Sequence, residues 1–341
     1  MAPSLEFPWP SYPGEVTRIA PGLLWARLPL PFRLDHVNVW LLEEKDGWTV
    51  VDTGCDTAQI RAAWEDILAG PMAARPPVRL LATHGHVDHI GLAGWLCGRF
   101  DCPFVSTLGE WLWARGAHDP NLGGARAEHR DYLERSGLTR PEIDAQLKGR
   151  DEMIALAMPL PGAVREIRHG QEIVLGGRRW EVIVTPGHAF FHASLFDREG
   201  GILIAGDQLL PHISPVVAVW ETTPDGDPLG DFIASFEAFA TVPDDTLVLP
   251  SHGLPYRGIG ARIAALRDHH KDRLDLTQAL LDEPRTARDV ALAMFPKVTD
   301  VDGIGFALAE VLAHLNRLVA TGRVERIEHR GAATRYVRCN A

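Results

Sequence analysis

The sequence predicts an α+β protein with one large domain and one small C-terminal domain, on three observations. Apolar strand-like runs alternate with helix-like segments up to about residue 258, a mostly helical stretch interrupts them at about 106–160, and the order beyond is helix, helix, ribbon. With 341 residues the chain is long for one small domain, and the boundaries are placed at 1–258 and 259–341. A composition of 46% apolar and 23% charged residues is ordinary for a globular protein. No run approaches the roughly 18 consecutive apolar residues of a membrane span. The start, MAPSLEFPWPSYPGE, lacks the basic region and apolar core of a secretion signal and reads as an extended arm. Cys55, Cys97, Cys102 and Cys339 have no disulfide-framework spacing, which fits a reducing cytoplasm, with the first three as buried bystanders.

In chain order, Val37–Leu42 and Trp48–Val51 form a strand pair around the turn Lys45-Asp46-Gly47. Asp52 follows, and from the residues alone it caps the helix expected over Thr57–Leu68 as readily as it supports a ligand. The run Val78–Ala82 then leads into His84-Gly85-His86-Val87-Asp88-His89. Residues two apart in an extended segment share a face, so His84 and His86 point together, and the backbone turns at Asp88 and His89 into a helix expected over His89–Phe100. Imidazole and carboxylate at this spacing point to a metal site, for which zinc, iron and manganese all qualify. A short strand is expected over Asp101–Val105, and the helical insertion after it, with Trp111 and Trp113, reads as a substrate lid. Val164–Leu175, Gly176-Gly177 and Trp180–Val184 form a meander.

The His84–His89 stretch is the HxHxDH signature, and up to about residue 255 the chain resembles the metallo-β-lactamase superfamily. That resemblance implies a four-layer αβ/βα sandwich and three further ligands behind strands. The sequence supplies them in order as Pro186-Gly187-His188, Gly206-Asp207 and Ser251-His252, the last two behind Ile202–Ala205 and Thr246–Leu249. By the same resemblance His84, His86 and His188 hold one metal, Asp88, His89 and His252 the other, and Asp207 bridges. The cofactor expected is two Zn2+, with iron or manganese as alternatives. Asp52 matches the residue that orients a ligand histidine, and His192 a position next to the ligands, although Phe191 replaces the family's glycine there. Two cations about 3.5–4 Å apart polarise a substrate oxygen and provide a bridging hydroxide near neutral pH, with Asp88 as the catalytic carboxylate that orients it. His212 is a weak candidate for touching substrate; Phe190, Phe191 and Trp220 form either an apolar wall or core.

A turn and amphipathic helix are expected at 224–245 and a long polar helix over Ile259–Asp282, with His269 and His270 on its surface. Thr286–Phe295, Gly305–Thr321, Val324–Ile327 and Thr334–Val337 then follow the order of a winged helix, resembling the small domain attached to some hydrolases of the superfamily. The apolar second helix points to packing or to a homodimer contact. Residues 260–341 hold 13 Lys and Arg against 11 Asp and Glu, so with a total of −11 the rest of the chain carries −13. That acidity weighs against nucleic acid as a partner. Asp207 stands where true metallo-β-lactamases have Cys or Ser, so the resemblance implies hydrolysis of a small ester, thioester or lactone. A phosphodiesterase or endoribonuclease is the alternative, and a DNA-binding regulator the third reading.

Overall fold

Two sheets face each other across a core of tryptophan and aliphatic side chains. The coordinates are a computed structural model that describes residues 7, 9, 10, 14–118, 123–298 and 301–339. Most of the expected N-terminal arm lies outside the described residues; its Trp9 stacks near Trp25 and under Arg27. The first sheet holds β1 (Val16–Ala20), β2 (Leu23–Pro29), β3 (His36–Glu43), β4 (Trp48–Val51), β5 (Pro77–Leu81), β6 (Phe104–Ser106) and β7 (Arg165–Glu166), in sequence order. It is antiparallel through β4 and parallel beyond. The hairpin β1–β2 has no counterpart among the expected elements. The second sheet runs β12 (Leu247–Pro250), β11 (Ile202–Gly206), β10 (His192–Asp197), β9 (Arg178–Thr185) and β8 (Glu172–Leu175).

Alternation along the strands sorts their side chains into two faces. Trp25, Trp40 and Leu81 from the first sheet meet Trp180, Leu195 and Leu249 from the second in the inter-sheet core. The other face of the first sheet, with Val39, Val50 and Leu80, packs against α1 (Ala58–Ala69) and α3 (Ala93–Phe100) through Trp64 and Leu96. The outer face of the second sheet, with Phe196 and Leu203, packs against α7 (Pro228–Ser235) through Phe232. Helix, sheet, sheet, helix is the expected four-layer sandwich.

Three expectations are corrected. The helix expected over His89–Phe100 is two pieces, α2 (Val87–Ile90) and α3, because Leu92 N–H turns away to the Gly54 carbonyl and the Thr53 hydroxyl. Asp52 caps no helix: α1 is capped by Thr57, whose hydroxyl accepts from Ile60 N–H. His270 is not on the surface. Within α8 (Ile259–Ala279) it falls on the buried stripe Ile259, Leu266, His270, Leu274, where its Nε2 pairs with the Ser214 hydroxyl at 3.0 Å and its ring meets Phe232.

The insertion forms α4 (Leu108–Ala117), α5 (Gly123–Arg135) and α6 (Arg140–Ile154). The C-terminal region adds β13 (Arg285–Thr286), α9 (Ala287–Met294), α10 (Val301–Ala320), β14 (Val324–Ile327) and β15 (Arg335–Arg338), the strands ordered β13-β15-β14. Among the described residues, one stretch, Gly303–Ala320, is long and apolar enough to cross a membrane, and 56% of it is buried inside the fold. It packs against α6, α7, α8 and α9, so its apolar face is occupied within the chain. One continuous apolar cluster runs from Phe196 and Leu203 through Phe232 to Leu312 and Leu315. The C-terminal elements therefore share a core with the second sheet.

Candidate metal centre

All the expected ligands sit at one edge of the sandwich, just past the C-terminal ends of β5, β9, β11 and β12, on loops except for Asp88 and His89, which lie in α2. Each loop is fixed by backbone geometry. His86 is extended (φ −69°, ψ 152°), which keeps it beside His84 on one face. Gly187 has φ +120°, and a Cβ there would stand 2.5 Å from the Phe232 backbone, so the turn before His188 admits no side chain. Gly206 has φ +54° and a Cβ would lie 2.3 Å from His192 Nε2, which explains the glycine before Asp207.

The seven side chains converge. Their donor atoms group as His84, His86 and His188, as Asp88, His89 and His252, and as His84, His89 and Asp207, each group within 4.8 Å. Asp207 spans the first two: Oδ2 is 3.3 Å from His188 Nε2, and Oδ1 is 3.3 Å from His252 Nε2 and 3.5 Å from His89 Nε2. His84 Nε2 lies 2.9 Å from His86 Nδ1 and 3.1 Å from His188 Nε2.

Orientation comes from behind. His188 Nδ1 donates to the Val216 carbonyl at 2.7 Å, His252 Nδ1 to the His36 carbonyl at 2.7 Å, and His89 Nδ1 to Asp52 Oδ2 at 2.8 Å. In each case the other ring nitrogen faces the centre. Burial lowers His89, but Asp88, Asp52 and Asp207 outweigh it and raise it to about 9, so a cation bound there would displace a proton. Asp52 also accepts from Thr83 N–H and hydroxyl, both at 2.8 Å, and holds a left-handed φ of +63°. His192 Nε2 accepts from Asp207 N–H at 3.1 Å, so it steadies a ligand's backbone.

These residues fit a bound cation on their own terms. His89 Nε2 and Asp207 Oδ1 are buried without a hydrogen-bond partner, a costly condition unless something positive sits between them. Burial and the neighbouring His89 and His86 hold the His84 imidazole well below its usual range, so it is neutral and free to donate its lone pair. Burial raises the Asp88 carboxyl, but His89 and His252 outweigh this and bring it to about 2; it is ionised at neutral pH. Nitrogen and oxygen donors without thiolate suit zinc, iron or manganese.

Of the weaker candidates, Trp113 and Phe190 line a cavity of about 210 Å³ that opens beside His86 and His188, with Trp220 in its wall. Trp111 does not, which corrects that expectation. Two residues along a helix cannot share a face, and Trp111 instead bonds the Pro161 carbonyl from under Arg115. His212 is not among the described residues that line this cavity. It is exposed, because Arg262 Nη2 holds the Ile213 carbonyl at 2.7 Å and turns that loop out toward α8. Phe191 is half exposed with its ring beside Gly109.

Sequence reasoning missed Glu110. Thr107-x-x-Glu110 reads as a capping box, and Thr107 does accept from Glu110 N–H. The Glu110 carboxylate, 1% exposed, turns inward and accepts from Gly85 N–H at 2.8 Å and Phe191 N–H at 2.6 Å. It clamps the loop carrying His84 and His86 to the loop carrying His188. The His36 carbonyl was missed because a backbone partner leaves no trace in residue type, and Thr83 because its hydroxyl contact with Asp52 joins residues 31 apart in the chain.

A two-sheet sandwich with His and Asp donors gathered at one edge defines a metal-dependent hydrolase. Residues 32–252 match the metallo-beta-lactamase superfamily and residues 274–339 the metallo-beta-lactamase-like C-terminal domain, and the chain belongs to that superfamily. A beta-lactamase domain protein from Burkholderia ambifaria superposes with a TM-score of 0.87 at 36% identity, over 99% of this chain and 97% of its own. The metallo-beta-lactamase family protein TTHA1429 from Thermus thermophilus superposes at 0.81 with 31% identity, over 94% and 100%. The probable metallo-hydrolase YqjP of Bacillus subtilis is 28% identical over 86% of this chain and 91% of its own length. More distant relatives are an acyl-coenzyme A thioesterase, MBLAC2, of Gallus gallus (28% identical over 54% of this chain and 62% of its own) and a hydroxyacylglutathione hydrolase of Idiomarina loihiensis (24% over 64% and 62%).

Proposed function

We propose that this metallo-hydrolase is dinuclear and zinc-dependent and cleaves an ester, thioester or lactone of a small substrate. The observation that carries the reading is the pair of three-residue donor groups joined by Asp207, with Asp207 Oδ1 and His89 Nε2 facing each other at 3.5 Å and neither making a hydrogen bond. His84, His86 and His188 would hold one ion, Asp88, His89 and His252 the other, with Asp207 shared. When bound, the ions supply an activated water at neutral pH and an electrophile for the carbonyl oxygen. The protein's own part is to fix imidazole angles through Val216, His36 and Asp52, and to keep Asp88 ionised. Asp88 is more open than Asp207, its side chain 16% exposed against 9%, so it can take a proton from the nucleophile and pass it to the leaving group.

The thioesterase relatives favour acyl transfer to water, and the cavity favours a small substrate. No Lys or Arg stands among its described lining residues, which speaks against a phosphodiester backbone. The C-terminal unit is read as a winged helix serving packing. Of the five arginines between residues 323 and 338, four are spent inside the chain: Arg323 on Asp275, Arg326 on Asp225, Arg335 on the Pro284 carbonyl and Arg338 on Asp282. Metal analysis with a panel of thioester, lactone and bis(p-nitrophenyl) phosphate substrates tests the proposal. Expected are two equivalents of zinc and turnover of the carbonyl substrates, lost in His86→Ala. Turnover of the phosphodiester alone would overturn it.

A further inference from the structure

The cavity beside His86 and His188 has a definite chemical character. Its walls are aromatic, with Trp113 and Phe190 (ring centroids 6.1 Å apart) and Trp220. Two carboxylates reach it from the start of α7. Asp227 is already committed, accepting from Gly230 N–H and from Arg317 Nη1 at 2.9 Å. Asp231, one helical turn on, is exposed, and its side chain forms no ion pair or hydrogen bond among the described residues, while no described lining residue is a Lys or Arg. Burial and the neighbouring Asp227 raise its carboxyl, outweighing the opposite pull of Arg317, which is bonded to Asp227. At about 210 Å³ the space falls below the 300–1,000 Å³ of a drug-sized pocket, enough for a single compact group.

Aromatic faces with an unmatched carboxylate are the means by which proteins hold organic ammonium ions. We infer that this cavity binds a cationic, alkylammonium-bearing portion of the substrate, held over Trp113, Phe190 and Trp220 and paired with Asp231, and that it excludes anionic portions. This rests on the hydrolase reading and sharpens it. Coenzyme A and glutathione both carry net negative charge, so the cavity separates this chain from thioesterases acting on those carriers.

Two measurements separate failure of the inference from failure of the hydrolase reading. The first needs no turnover: the full, zinc-supplemented chain is titrated with benzyltrimethylammonium and with neutral benzyl alcohol, following tryptophan fluorescence. The cation is expected to bind about tenfold tighter or more, with the advantage lost in Asp231→Asn and reduced in Trp113→Leu. Equal binding of the two, or an advantage that survives Asp231→Asn, overturns the inference whatever the enzyme hydrolyses. The second compares butyryl thioesters of thiocholine, of its uncharged 3,3-dimethylbutyl isostere and of 3-mercaptopropionate. The inference expects kcat/KM to fall in that order in the wild type and to level in Asp231→Asn. A preference for the anionic thioester overturns it while leaving the hydrolase reading intact. Turnover of none of the three counts against the hydrolase reading, and the titration then decides the cavity by itself.

Discussion

Two buried carboxylates away from the ligand set decide how the site is held. Asp52 lies 2.8 Å from His89 Nδ1 and Glu110 joins two ligand loops through Gly85 and Phe191. Partners of this kind typically change metal affinity or activity by about 10–100-fold when removed. On the dinuclear zinc proposal, Asp52→Ala should release zinc to a competing chelator at roughly tenfold lower concentration, with the ion assigned to His89 lost first. Unchanged release would mean that Asp52 only braces Thr83. For Glu110, the alanine variant should weaken zinc retention and lower kcat more than it raises KM. Glutamine keeps one acceptor but turns an amide N–H toward a backbone N–H, so it should recover only part of the loss. If Glu110→Ala retains both ions and full kcat, the clamp is dispensable. Residues of this sort are where sequence reasoning runs out. His84, His86, Asp88 and His89 were legible because chemistry-bearing side chains stand close in the chain, whereas Glu110 looks like any helix cap until its side chain is seen turning inward.

At the scale of elements, turns and helix contacts carry the predictions. Gly187→Ala places a methyl against the Phe232 backbone at a φ of +120°. That should cost on the order of 1–3 kcal/mol in denaturant unfolding; an unchanged midpoint would show the turn to be plastic. The insertion is tied to the C-terminal region by Arg288, whose Nε and Nη2 donate to both oxygens of Glu142, at 2.7 Å for the closest pair. Burial opposes ionisation of Glu142, but Arg288 and Thr139 outweigh it and hold the carboxyl at about 2. Because the folded value lies below the ordinary 4.5, this contribution is complete above pH 4.5 and disappears as pH falls toward 2. Glu142→Gln should therefore narrow the stability difference from wild type as pH drops through that window. A difference constant from about pH 6 to 3 would show that the pair does not couple to folding. Element types were mostly readable from periodicity, but β1–β2 and the break at Gly91-Leu92 were not, since the latter is imposed by the Gly54 carbonyl from a distant loop.

Across the whole molecule, the C-terminal residues behave as part of one body. Val219 N–H donates to the Ala309 carbonyl and Tyr132 to the Val219 carbonyl, three residues from the Val216 carbonyl that orients His188. Ending the chain at residue 258 should uncover Phe232, Phe236 and Leu229 and leave the His188 loop unsupported. The expected product is aggregated or lacks a cooperative thermal transition; a monomer that melts sharply would separate the two regions after all. The order of elements was legible here, but the depth of their burial was not. His270 reads as solvated among charges, and only the packing of α8 against α10 shows why it is not.

The seven donors come from both sheets: four follow β5 of the first, and three follow β9, β11 and β12 of the second. An ion bound there is a cross-link between the two leaves, absent from the unfolded chain. Its free concentration then enters the folding equilibrium by mass action, adding about 2.7 kcal/mol at a hundredfold excess over the dissociation constant. If the ion is the proposed zinc, the melting temperature should rise with buffered free zinc and flatten in His86→Ala. In a metal-starved cell, shortage would act first on how much of the protein survives, and only then on how fast each copy works.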